Sequence, residues 1–482
     1  MDLPGRAARL FGNSPALRIR EKTLSFEKYN TLAIKIANLL YKKGLRTGDI
    51  VALVSPNSPE MATLLVGVLK AGLIAAPLNN RFPLHLLKAT LDKLSPQLVL
   101  TDTLQHDSLP GIKTETIHSI IENAEGCSIE LDVELPEAMD RLASIIHTSA
   151  STGVAKAAVH SIANHWYSAL GSNENIPFGP GDSWLLSLPL YHIGGYAILL
   201  RSLISGGAVA IGHADDTISL SMQKFAVTHL SVVPTQLYRL LSDSKSTEGL
   251  RRLKAVLLGG SPAPKSLIDD AIRHNIPLYL SYGSTEMSTQ ITTSSSPISN
   301  WTQNSGKLLP YREIKTAENG ELLVKGPCLF QGYLSEGIIQ PQTDSKGWFH
   351  TADIGYVDDD GTVTVLGRRD NMFISGGENI HPEEIEKALM MIDGIREALV
   401  VPVSDREYGQ RPAAFIQTFE ENNPDDDSII QTLHTTLGKL KTPVYYYRVS
   451  EWSMLHGSQK IDRATYRKRG EQHGMNPSPK SA

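Results

Sequence analysis

Apolar and polar positions alternate along the chain with two different periods. Tyr29, Leu32, Ala33, Ile36, Leu39 and Leu40 recur at helical spacing on one face, and Gly44 follows as a stop. Ile50–Val54 is an apolar run of strand length, Met61–Ala71 predicts a helix, and Leu73–Ala76 predicts the next strand. Leu98–Thr101, entered just after Pro96, is another buried strand. Ala255–Leu258 runs into Gly259 and Gly260 and is followed by a helix-like stretch and by Leu278–Leu280. Strands alternating with helices predict mostly parallel α/β layers.

The texture changes after about residue 305. Glu321–Lys325 and Thr362–Leu366 alternate as strands do, with turns at Glu318–Gly320 and Asp358–Gly361. From Asp370 onward the pattern is compact α+β. Pro382 opens a helix with Glu383 and Glu384 in its first turn, where acidic side chains suit the positive end of the helix dipole. Ala398–Val403 predicts a strand, Glu420–Asp427 an acidic solvated loop, and Gly470–Ala482 a polar, frayed tail. No fixed-period repeat is present.

Length and charge narrow the class. At about 150 residues per domain, 482 residues allow about three domains, or a large one and a smaller one. Lys plus Arg is 46 and Asp plus Glu is 51, a net −5 that offers no electrostatic case for nucleic acid. The two cysteines, Cys127 and Cys328, can form neither a disulfide framework nor a zinc ribbon and suit a reducing compartment. Met1–Pro15 lacks the apolar core of a signal peptide. Met61–Leu78 is interrupted by Lys70 and Pro77, and Ile193–Ile211 by Arg201, so neither is a clean membrane span. A cytoplasmic protein is expected.

The sharpest chemical signal is the stretch from Thr148 to Lys156, which holds Thr148, Ser149, Ser151, Thr152, Gly153 and Lys156. Hydroxyls beside glycine, followed by a lysine, can surround a polyphosphate with donors and answer its charge. The spacing is not that of a P-loop, and by itself the stretch could equally be a Ser/Thr-rich surface loop.

This loop resembles the phosphate-binding loop of the adenylate-forming enzymes, the family of acyl- and aryl-CoA synthetases, luciferases and adenylation domains. Ala150, Ala155 and Ala157 stand where that pattern usually has glycine, proline and glycine. Further motifs follow in the family's order. Pro189–His192 resembles the segment that puts a histidine or aromatic residue at the acyl pocket, and Gly259–Gly260 the glycines beside adenine. Tyr282, Gly283, Thr285 and Glu286 match Y-G-x-T-E, and Thr351–Asp353 resembles T-G-D with Ala352 in place of glycine. Gly367–Asp370 and Ser375–Asn379 are similar to the hinge and the loop after it, and Gly457–Arg463 to the C-terminal lysine motif around Lys460.

The resemblance implies an α/β fold. Residues 1–369 would form a large layered N-terminal domain of mostly parallel sheets with helices, including a small β-barrel-like part at 305–369. Residues 370–482 would form a smaller, mobile α+β lid hinged at Asp370, with Gly376 and Gly377 lining a tunnel for the pantetheine of coenzyme A. It implies ATP and Mg²⁺, with Glu286 as metal ligand, and two half-reactions. A carboxylate attacks the α-phosphorus of ATP and releases pyrophosphate; a CoA thiol then displaces AMP. Lys460 would bridge substrate carboxylate and α-phosphate, Lys156 would meet phosphates, and Asp353 and Arg368 would meet ribose. Members often assemble as dimers or tetramers, which keeps a homo-oligomer open.

Trp184–His192, Val233–Arg239 and Val401–Gly409 resemble one branch, the o-succinylbenzoate–CoA ligases of menaquinone and phylloquinone synthesis. That acid carries a second carboxylate, which needs cationic or hydroxyl partners when desolvated. Ser187, His192, Gln236 and Arg239 are the candidates, although Arg239 could be a helix-surface arginine and His192 a core histidine. Other readings are a different aryl- or medium-chain acyl-CoA synthetase, an enzyme that loads a carrier protein, and a non-enzymatic binding protein on the same fold.

Overall fold

The computed structural model describes residues 1–482 apart from 21, 103–112, 132–136, 149–155, 214, 377, 406, 420–422, 456–459 and 475–482, and the side chains of 379, 473 and 474. Two large sheets carry the N-terminal domain. The first has nine strands, in the order Lys307–Leu308, Thr289–Thr293, Leu278–Ser284, Ala255–Leu258, His229–Val232, Ser183–Leu185, Ala208–Ile211, Pro15–Ile19 and Lys22–Ser25. Its middle pairs are parallel and both edges are antiparallel. The second has eight strands, in the order Ile338–Gln340, Gly332–Ser335, Ala157–Ser161, Leu142–His147, Ile74–Leu78, Ile50–Val54, Leu98–Thr101 and Thr114–Thr116. Apolar runs such as Ala52–Val54 and Leu98–Leu100 are buried, as strands covered on both faces must be.

Helix Phe26–Lys42 starts where the Ser25 side chain accepts from the Lys28 N–H, and it buries Tyr29, Ala33, Ile36 and Leu40 as the periodicity predicts. Both interrupted apolar runs are interior elements. Helix Pro59–Lys70 leads into strand Ile74–Leu78, and helix Ile193–Ser205 into strand Ala208–Ile211. Among the described residues, no helix is long and apolar enough to cross a membrane.

The β-rich segment 305–369 forms a four-stranded antiparallel sheet of Glu313–Thr316, Glu321–Lys325, Phe349–Val357 and Val363–Arg368, and lends Lys307–Leu308, Gly332–Ser335 and Ile338–Gln340 to the two large sheets. The smaller C-terminal domain packs helices Pro382–Leu389 and Asp426–Leu437 on a three-stranded sheet, through Ile385, Leu389, Val400, Ile416, Ile429 and Leu433. Its strand Ile395–Asp405 outruns the apolar stretch Ala398–Val403, because Gly409–Thr418 pairs with it to both ends. Part of the acidic run is helix rather than loop: Asp425 caps the helix through the Ser428 N–H, and Asp426 and Asp427 occupy its first turn. The last helix, Arg463–Gly474, extends past Gly470, which packs near Val401 and Val403; the rest of the predicted tail lies outside the described residues.

Candidate active site

The phosphate-loop residues Ser149, Ser151, Thr152 and Gly153 lie outside the described residues, but the neck of the loop is described. Thr148 and Lys156 close it: the Thr148 N–H donates to the Lys156 carbonyl at 2.9 Å, and the Lys156 N–H to Thr148 Oγ1 at 3.3 Å. Strand Ala157–Ser161 then carries the chain beneath the turn that bears Glu286. Strand Leu278–Ser284 pairs with Thr289–Thr293 across this turn. A Cβ on Gly283 would fall 1.9 Å from the Thr289 carbonyl oxygen, so the motif's glycine is required by the hairpin itself. His160 Nε2 lies 2.7 Å from the Thr285 carbonyl; since that oxygen only accepts, Nε2 carries the hydrogen. Burial lowers the His160 pKa to about 4 and keeps the ring neutral. The Tyr333 hydroxyl donates to Glu286 Oε1 at 2.6 Å.

The second group lies where the β-rich sheet meets the first large sheet. The Tyr282 hydroxyl donates to Asp353 Oδ2 at 2.5 Å, and Arg368, paired with Asp353 across the ladder, donates to Asp353 Oδ1 at 3.0 Å. Burial raises the Asp353 pKa, with Arg368 and Tyr282 acting against it. Arg368 also reaches Asp370 at 3.2 Å, while Arg369 binds Glu321 at 2.9 Å. Glu321 is buried, and its other oxygen accepts the Ala352 N–H at 2.8 Å. One carboxylate thus joins the Thr351–Asp353 stretch of strand Phe349–Val357 to the segment beside Asp370.

Ala352 occupies the left-handed region at φ +59°, where glycine is unstrained. Such a conformation costs an L-residue about 1–2 kcal/mol, part of which glycine returns through its freer unfolded chain. Ala352→Gly is expected to raise thermal stability slightly, by an amount worth up to about 1 kcal/mol; a lower melting temperature would show that the methyl packing outweighs the strain.

Lys460 comes from the C-terminal domain and lies within electrostatic reach of Arg368, Glu286, Asp353 and His192. Its side chain keeps solvent access, yet surrounding protein lowers its pKa, and the Arg368 charge adds to this while Glu286 and Asp353 oppose it. Burial, and then the Lys460 charge, lowers the His192 pKa to about 4. His192 stands at the start of helix Ile193–Ser205. Gln236 Nε2 donates to the Ser187 carbonyl at 3.2 Å, and the Ser187 hydroxyl donates to the Ser231 carbonyl. Ser187 and Gln236 are therefore brought together, whereas Arg239 is exposed on its helix. Gly259 and Gly260 end strand Ala255–Leu258, with Gly260 beside Val233. Gly376 donates its N–H to the Tyr408 carbonyl at 2.9 Å, and Gly377 lies outside the described residues.

Sequence reasoning missed Tyr333, Glu321 and His160, whose partners are distant in the chain, and it missed Arg201. Two cations interrupt the two apolar runs, and both are 4% exposed. Lys70 is neutralised by Asp2 at 2.7 Å. Arg201 meets no carboxylate among the described residues. It donates to Gln290 Oε1 at 2.6 Å, lies over the Trp184 ring at 4.9 Å, and leaves Nε without a partner. Burial, and then the charge of Arg312, lowers its pKa to about 9. Arg312 is buried too, but its donors end on the carbonyls of Gln290, Pro310 and Ser168. Neither guanidinium meets a carboxylate among the described residues, and of the two it is Arg201 that keeps an unbonded N–H.

A lysine from the C-terminal domain converging with a carboxylate, a tyrosine–aspartate–arginine set and a phosphate-loop neck defines a nucleotide-dependent acid-activating site. The chain belongs to the AMP-binding enzymes: the model of the AMP-binding enzyme family matches residues 5–334, and that of the AMP-binding enzyme C-terminal domain residues 384–460. It is 33% identical to the 2-succinylbenzoate–CoA ligase of Salmonella typhimurium over 93% of each chain. Its fold matches the o-succinylbenzoate CoA synthetase of Bacillus subtilis in complex with the acyl-adenylate intermediate OSB-AMP, with a TM-score of 0.86, 28% identity, and coverage of 100% of this chain and 99% of that one. The same Bacillus subtilis enzyme in complex with ATP and magnesium ion matches with a TM-score of 0.85 at 28% identity, covering 96% and 98%.

Proposed function

We propose that this chain is an AMP-forming acid–CoA ligase for 2-succinylbenzoate, acting in menaquinone or phylloquinone synthesis. The observation that carries the chemistry is the approach of Lys460, from the C-terminal domain, to Glu286, Asp353, Arg368 and His192 of the N-terminal domain. In the first step the aliphatic carboxylate attacks the α-phosphorus of ATP, the bond to the β-phosphate oxygen breaks, and pyrophosphate leaves. Lys460 lies between the two anions and reduces their repulsion. In the second step the CoA sulfur attacks the adenylate carbonyl and AMP leaves with the bonding pair. Asp353 and Arg368 receive the ribose, and Gly259, Gly260 and Tyr282 flank the base. The Thr148–Lys156 loop takes the phosphates. The C-terminal domain, beginning at Asp370, turns between steps to bring Gly376 and Gly377 to the pantetheine.

Among the described residues, no group of three or more His, Cys, Asp or Glu side chains could hold a metal ion. Mg²⁺ does not require one, since it commonly takes one or two carboxylates with waters and substrate phosphates. Glu286 fits: Tyr333 engages only Oε1. When bound, the ion neutralises charge on the departing pyrophosphate.

For the acid, Ser187, Gln236 and His192 line one end, and the buried guanidinium of Arg201 supplies the charge for the ring carboxylate. Cys127 and Cys328 remain unpaired, which supports a reducing, cytoplasmic setting. The protein incubated with ATP, Mg²⁺, CoA and 2-succinylbenzoate is expected to yield the CoA thioester by mass, with AMP in equal amount. AMP without thioester, or turnover of other acids in preference, would overturn the reading.

A further inference from the structure

In the proposed function, Glu286 and Lys156 serve one phosphate site with opposite charges. Left alone, such a pair closes into an ion pair, in which each neutralises the group the nucleotide needs. Tyr333 stands between them. It lies on strand Gly332–Ser335, antiparallel to Ala157–Ser161, with Tyr333 opposite Ala158. This register sets its ring beside Lys156, whose Nζ is 4.9 Å from the ring centroid. Its hydroxyl donates to Glu286 Oε1 at 2.6 Å. The ring is braced edge-on by Phe330, 4.9 Å away, and the Phe330 N–H holds the Glu286 carbonyl at 2.7 Å.

We infer that Tyr333 is a positioning residue that keeps the phosphate-site cation and carboxylate apart. Its hydroxyl engages Glu286 Oε1 and leaves Oε2 to hold Mg²⁺, and its ring holds Lys156 by a weak cation–π contact that phosphate oxygens readily displace. The inference rests on the reading of Glu286 and Lys156 given above.

The test is direct binding of ATP by calorimetry, with Mg²⁺ and with chelator, to the intact protein and to Tyr333→Phe, which keeps the ring and loses the hydroxyl. The wild type should bind ATP more tightly with Mg²⁺. Tyr333→Phe should lose roughly tenfold of that enhancement, the scale of one hydrogen bond to a charged group, while ATP binding in chelator stays unchanged. Tyr333→Leu should also weaken binding in chelator, and adding Lys156→Met to it should change little more. Wild-type Mg²⁺ dependence in Tyr333→Phe would overturn the inference. So would equal losses with and without metal alongside a lower melting temperature, which would mean a purely structural role. Absence of any Mg²⁺ effect in the wild type would instead overturn the metal reading of Glu286 itself.

Discussion

Replacing Lys460 by alanine is expected to slow adenylate formation by about 10²–10³-fold, the range for removing one charge-stabilising donor from a preorganised site. Transfer of a supplied acyl-adenylate to CoA should stay close to the wild-type rate. The asymmetry follows from where the charge lies. In the first step a carboxylate approaches an anionic phosphate, and Lys460 is the cation that reaches the site from the C-terminal domain, on the side of His192. In the second step the reacting carbonyl is already part of a mixed anhydride, and the nucleophile arrives with CoA. Single-turnover measurements of each half-reaction separate the two. Equal losses in both would mean that Lys460 holds the domains together rather than stabilising the first transition state. Lys460→Arg keeps the charge on a longer, planar group and should recover only part of the rate.

Local pattern was enough for the elements whose burial is local. Ile50–Val54, Leu98–Thr101, Ala255–Leu258 and Glu321–Lys325 are strands at the positions their apolar runs predict. Boundaries moved where pairing or capping decides them. Strand Val363–Arg368 starts and ends later than the predicted Thr362–Leu366, because Arg368 stays in register with Asp353. The acidic run after Pro424 serves a helix start, a role that composition cannot distinguish from a loop. Within the candidate site, the motif residues were proposed from short stretches that resemble those of a known family. Tyr333 and Glu286 are 47 positions apart, and His160 and Thr285 are 125 apart; such pairs depend on how strands order in the sheets. Arg201 carried a visible signal, a lone charge in an apolar run. It served only to argue against a membrane span, since nothing in the sequence shows that Lys70 finds a carboxylate while Arg201, among the described residues, meets none.

That difference leads to the second large effect. Arg201→Met is expected to raise KM for 2-succinylbenzoate by about a hundredfold, within the 2–5 kcal/mol typical of truncating one partner of a desolvated charge pair. ATP binding should be unaffected. Helix geometry supports the placement. From His192 to Arg201 the helix advances about 14 Å, and helical side chains lean toward the N-terminus, so the guanidinium returns toward the end where Lys460 approaches. The decisive comparison uses the same acid without its ring carboxylate. Wild type should discriminate strongly against this analogue, because binding it leaves a buried guanidinium without a counter-ion. Arg201→Met should lose that discrimination and accept both acids with similar, low efficiency. Stability should move the other way. Among the described residues the cation meets no carboxylate, so an apolar replacement of similar length is expected to leave the melting temperature unchanged or raise it. Arg312→Met should lower it, since three carbonyls would lose their donor. Arg239→Ala, at an exposed position, should alter neither KM nor discrimination by more than about threefold. A hundredfold loss at Arg239 with Arg201→Met unchanged would move the carboxylate site to the outer face of helix Pro234–Leu241.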